Sequence, residues 1–145
     1  MTTTDSRRLN DLVERCTDDS RLFRIARADR ADVVDDELLA FARRRSCFAE
    51  ALAIVMRTTG ATANAHGTLS GWLRRRRFDL RAALLGTKHL GDSLLACAEQ
   101  GARTRERYRR ALRLEWSVDV RTLLESQLTE IAETHERLLV LRGAT

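Results

Sequence analysis

The sequence predicts an all-α protein: a four-helix bundle of long helices, with an additional shorter crossover helix between the second and third. Three observations carry this expectation. Proline is absent from the 145 residues, so no ring interrupts a backbone ladder. Aromatic residues, which favour strands, make up only 5% of the chain. Apolar residues recur at threes and fours through five successive segments, the spacing that lines one face of a helix.

In the first segment Leu9, Leu12, Val13, Cys16, Phe23 and Ala26 form the stripe, and Asp11, Glu14, Arg15 and Asp18 are read as facing away. Thr4 or Asp5 is expected to cap its start, and residues 1–5 are expected to be otherwise disordered. The second helix is expected to open at Asp35 or Asp36, whose carboxylates suit a helix N-terminus. Leu38, Phe41, Ala42, Arg45, Phe48, Ala49, Leu52, Val55 and Met56 make its stripe, and Gly60 is its natural stop. Residues 61–67 then read as a loop.

Thr68 or Ser70 opens the shorter helix, with Leu69, Trp72, Leu73, Leu80 and Leu84 on one side and Gly86 at its end. A fourth segment runs from about Leu90 to Leu114, where Leu94, Ala98, Gly101, Ala102, Tyr108 and Leu112 make a narrower stripe with small residues that permit close helix approach. Ser117 caps the last helix, in which Val120, Leu124, Leu128, Ile131, His135 and Leu138 face inward and Gly143 is the stop. Four long segments of roughly 35–40 Å at 1.5 Å per residue are what a bundle requires. No internal boundary divides residues 1–145, so one domain is expected.

Composition narrows the class further. Apolar residues at 43% and charged residues at 32% belong to a folded chain and exclude a disordered one. Of 26 basic residues only Lys88 is a lysine. Arginine suits phosphate, since its fork matches that anion; it is also what a GC-rich genome encodes, and a formal charge of +5 is modest. Cys16, Cys47 and Cys97 form no Cys-x-x-Cys pair, which points to a reducing compartment rather than a disulfide framework. Residues 1–5 lack the apolar core of a signal peptide, and the longest apolar stretch, Ala51 to Met56, is too short to span a bilayer. A cytoplasmic protein with no membrane span is expected.

The order of these pieces resembles a bacterial family of four-helix-bundle proteins of unknown function, grouped by fold with the ferritin-like proteins. The matching residues include Leu9-Asn10-Asp11-Leu12-Val13-Glu14, Phe48-Ala49, Gly67-Thr68-Leu69-Ser70-Gly71, Leu73, Asp79-Leu80-Arg81 and Gly86. Cys97, Tyr108-Arg109, Ala111-Leu112, Val120-Arg121, Glu125, Gln127, His135 and Leu141-Arg142 extend the match over nearly the whole chain. The resemblance implies a ferritin-like fold. It also implies acidic residues at the positions held here by Ala28, Ala51, Ala98 and Gly101, so this chain has lost carboxylates that a metal or polar centre would use.

Each chemistry can be set against these residues. A di-iron bundle site takes Glu-x-x-His from two helices and a glutamate from each of two others. Glu-x-x-His is absent here, and only Glu50, Glu99 and Glu133, at the edges of their stripes, with His135, are candidate ligands for iron or manganese. His135 otherwise reads as a core histidine that needs one acceptor, Gln127 or a group on a facing helix. Arg45 and Arg105 fall on inner stripes, where a guanidinium either pairs with a buried acid or snorkels to the rim, the rim being the ordinary outcome. The cysteines read as packed thiols, and neither Gly-x-Ser-x-Gly nor a phosphate-cradling glycine loop is present. The arginine runs Arg43–Arg45 and Arg74–Arg77 are the best case for a polyanion, the second (Arg74, Arg75, Arg76 and Arg77) above all, without a helix-turn-helix or zinc signature beside them.

These readings exclude a recognisable catalytic centre and lead to three functional expectations. The first is a non-enzymatic structural or protein-interaction role, with self-association and no resident cofactor. The second is a metal-binding or redox-stress bundle using His135, Glu50, Glu99 and Glu133. The third is nonspecific nucleic-acid binding through Arg74–Arg77.

Overall fold

A computed structural model describes residues 2–27, 32–59 and 90–144. Within them lie four helices and no strand: α1 (Thr3–Ala26), α2 (Val33–Thr58), α3 (Leu90–Ala111) and α4 (Val118–Gly143). The all-helical expectation therefore holds among the described residues. The Gly60 stop, the loop at 61–67, the shorter crossover helix from Thr68 to Gly86 and the run Arg74–Arg77 lie outside them.

Helix ends follow from local chemistry, in places one or two residues from the expected sites. Where residues 1–5 were expected disordered, Thr2 caps α1: its Oγ1 accepts from the Asp5 amide at 3.1 Å, and Asp5 Oδ2 accepts from the Thr2 amide at 3.1 Å. The reciprocal pair satisfies two amides that the first turn leaves without helical partners. Asp32, not Asp35 or Asp36, caps α2 by accepting from the Asp35 amide at 2.8 Å. The helix α3 stops at Ala111, short of Leu114, and two side chains take the carbonyls at and just past its end. Trp116 Nε1 donates to Ala111 O at 2.7 Å, and Arg121 Nη2 donates to Leu112 O and Leu114 O at 3.2 and 2.8 Å. Ser117 caps α4 as the sequence indicates, and α4 runs through Gly143 to a cap at Ala144.

Side-chain pairs fix the directions of the helices. Asp19 faces Arg45 and Ser20 faces Ala42, so α1 and α2 are antiparallel. Asp11 with Arg107 and Asp19 with Thr104 make α1 and α3 antiparallel. Glu37 with Arg137 and Arg44 with Glu130 do the same for α2 and α4. The helices thus run up, down, down, up, with α1 and α4 across a diagonal from one another. The end of α2 and the start of α3 lie at opposite ends of the bundle.

Two apolar clusters fill the interior. One gathers Leu9, Leu12, Phe48, Leu52, Met56, Leu124 and Ile131; the other gathers Leu22, Phe23, Leu38, Ala42, Leu94, Leu138 and Leu141. Each fully buried leucine removed from water contributes about 1.5–3 kcal/mol. The α1/α2 and α3/α4 hairpins meet closely through α1 and α3. The α2/α4 seam is thinner and is closed by two bidentate ion pairs one heptad apart, Arg137–Glu37 and Arg44–Glu130, with shortest distances of 2.6 Å each.

Candidate functional site

Between the two apolar clusters lies a layer of polar side chains sealed from solvent. Asp19 of α1 and Arg45 of α2 form its centre, with Arg45 Nε donating to Asp19 Oδ2 at 3.2 Å and side chains 2% and 1% exposed. Thr104 of α3 donates to Asp19 Oδ1 at 3.0 Å. Arg44 and Arg45 both place their guanidinium carbons over the Phe48 ring, 5.3 and 5.4 Å from its centroid. Ser20 donates to the Ala42 carbonyl and pairs with Ser46, both at 2.8 Å. The expectation that Arg45 snorkels to the rim is therefore corrected: a buried acid holds it inside.

A second chain of contacts touches all four helices. Tyr108 Oη of α3 donates to Gln127 Oε1 of α4 at 2.7 Å and lies 3.1 Å from Cys16 Sγ of α1. With the phenolic proton directed to Gln127, the thiol is the donor in the Cys16 contact. Gln127 Nε2 then reaches the Phe48 carbonyl of α2 at 3.5 Å. These contacts fix the register of four helices whose apolar surfaces alone would tolerate sliding.

Electrostatics make the layer chemically quiet. Burial pushes the Cys16 thiol up to about 12, reinforced by the charge of Asp19, and burial likewise takes Cys97 to about 12. A thiol nucleophile needs the opposite shift. Burial drives Tyr108 well above its ordinary value. It lifts Asp19 to about 6, against the opposing pull of Arg45 and the hydrogen bonds it accepts. Cys47, expected as a packed thiol, is instead exposed on α2.

The residues anticipated as metal ligands are not brought together. Glu50, Glu99 and Glu133 are exposed; Glu133 borders an open groove of about 430 Å³ between α2 and α4. His135 is half-buried, and its Nδ1 lies 3.1 Å from the Ala98 carbonyl, so that nitrogen carries the proton. The histidine finds its acceptor on the facing helix rather than in Gln127, which serves Tyr108. Among the described residues no three His, Cys, Asp or Glu side chains form a group that could hold a metal ion. Arg105 is half-buried. Asp18, read as facing solvent, is buried at 1% exposure.

A family profile described as "Domain of unknown function (DUF2383)" matches residues 4–114. The chain belongs to the DUF2383 family. Comparison with curated proteins returns no match. Asp19, Arg45, Thr104 and Tyr108 fall within the DUF2383 span, whereas Gln127 and His135 come from α4 beyond it.

Sequence reasoning missed Asp19 and Thr104. Asp19 follows Cys16 by three residues and precedes Phe23 by four, so it lies on the apolar stripe of α1. An arginine held inside the bundle, as Arg45 is, needs such an acid.

Proposed function

We propose that this protein is a non-enzymatic helical scaffold that self-associates through the side of the bundle formed by α2 and α4. One observation supports the reading above the others. Every large, exposed apolar side chain among the described residues lies on these two helices: Val33 at 71%, Ile54 at 51%, Val118 at 80%, Leu139 at 40% and Val140 at 60% exposure. In α4 the buried Leu138 and Leu141 face the core while Leu139 and Val140 between them face outward, so the helix is apolar on two sides. A helix of that kind asks for cover on both. The sealed polar layer fits a scaffold, since it offers no open face to a reacting molecule.

The up-down-down-up order fits a ferritin-like bundle, in which one long connection carries the chain from the second helix back along the bundle. Three unbridged cysteines suit a reducing cytoplasm.

Mass in solution by light scattering, from about 1 to 100 µM, tests the proposal together with elemental analysis of the same sample. The expected result is a mass that rises to a dimer or higher and returns to a monomer in Leu139→Lys/Val140→Lys. A monomer at every concentration refutes self-association, and stoichiometric iron or manganese supports the metal-binding reading in its place.

A further inference from the structure

The opposite side of the bundle, where α1 packs on α3, has a different chemistry. At the start of α1 and the end of α3, Thr4, Arg7, Arg8, Asp11 and Arg107 line an open cleft of about 370 Å³. Arg107 meets Asp11 through one long contact of 3.5 Å. Arg7 and Arg8 make no ion pair or hydrogen bond among the described residues. Arg103 and Arg110 stand four residues before and three after Arg107, so all three share one stripe of α3. Arg7, Arg8 and Arg107 therefore line this cleft, against Asp11 as its one acid.

Helix electrostatics do not account for this placement. Arginines at the end of α3 favour its negative pole, and Arg109 and Arg110 already fill that role. Arg7 and Arg8 sit toward the positive pole of α1, where a cation gains nothing from its own helix. The Arg7 and Arg8 guanidinium forks, beside an Arg107 held by one long contact, suit the oxyanions of phosphate.

We propose that the α1/α3 groove binds the phosphodiester backbone of nucleic acid, reading charge and not base sequence. Two features select this occupant over an anionic membrane. Neither α1 nor α3 carries a large exposed apolar residue among those described, and an interfacial helix needs an apolar face to insert. The Arg103–Arg107–Arg110 stripe also extends beyond the cleft, as a linear polyanion requires. Arg74–Arg77 lie outside the described residues.

The test titrates fluorescein-labelled duplex DNA of two unrelated sequences with the full chain, following anisotropy from 50 to 200 mM salt. Both sequences should bind alike, and the logarithm of affinity should fall with the logarithm of salt with a slope of about −3, from three phosphates neutralised at roughly −0.9 each. Arg7→Gln/Arg8→Gln/Arg107→Gln, with an unchanged circular dichroism spectrum, should bind at least tenfold more weakly with a slope near zero. Arg7→Lys/Arg8→Lys/Arg107→Lys, which keeps the charge, should recover most of the affinity. No binding at 50 mM salt, a glutamine variant that binds as well as the parent, a lysine variant as weak as the glutamine one, or binding to phosphatidylserine vesicles and not to DNA would each overturn the proposal.

Discussion

Replacing Asp19 by Leu removes the counter-charge of a guanidinium whose side chain is 2% exposed. Arginine cannot shed its proton at any ordinary pH, so the stranded charge should destabilise the fold by about 3–5 kcal/mol. Arg45→Met should cost a similar amount at pH 7, leaving a buried carboxylate with Thr104 as a donor. With a urea slope near 2 kcal/mol per molar, each loss moves the unfolding midpoint down by about 2 M. The double variant Asp19→Leu/Arg45→Met strands neither charge and should stand close to the parent, or above it.

The two single variants should part company as pH falls. Burial already holds Asp19 at about 6, above its ordinary 3.8, and removing the Arg45 pull raises it further. A carboxyl whose folded value is raised stabilises the fold when protonated, and that contribution is lost as pH rises through the folded value. Arg45→Met should therefore regain much of its deficit between pH 7 and pH 5. Asp19→Leu should regain none through this site, because nothing there can neutralise the arginine. Urea melts of the four proteins at both pH values measure this directly. Single losses below about 1 kcal/mol at pH 7, or a double variant whose loss equals the two singles together, would refute the buried, coupled pair.

Two further predictions concern the neighbouring contacts. Tyr108→Phe leaves Gln127 Oε1 and the Cys16 thiol buried without the phenol, and should cost about 1–3 kcal/mol in the same urea assay. Iodoacetamide followed by peptide mass measurement should alkylate the exposed Cys47 within minutes, while the buried Cys16 and Cys97 react only once the protein unfolds; equal rates at all three would contradict the placement of α2.

Much of the helical framework is written in local pattern. The stripes of α1, α2, α3 and α4 appear at the expected residues because burial selects every third or fourth side chain, whatever the wider topology. Ser117 could be read as a cap because that choice depends on a few neighbours. The caps of α1 and α2 were displaced since several adjacent threonines and aspartates compete for the role, and only backbone geometry selects Thr2 and Asp32. The polar layer was harder to see. Asp18, Asp19 and Ser20 in succession look like an exposed polar run, whereas the partners of Asp19 and Ser20 lie 22 to 85 residues away. His135 was readable as an inward histidine, but its acceptor is a backbone carbonyl, which side-chain identity does not announce.

Running α2 and α3 in the same direction has a consequence for synthesis. The α1/α2 hairpin leaves the ribosome with Asp19 and Arg45 able to meet, yet Thr104 is 59 residues further on. At about 5–20 residues per second, the inner face of that hairpin waits several seconds for α3. The salt-bridged pair thus has time to set the α1/α2 alignment before the second half of the protein exists. The nascent chain also spends that interval with its greasiest surface uncovered, when a chaperone has the most to grip.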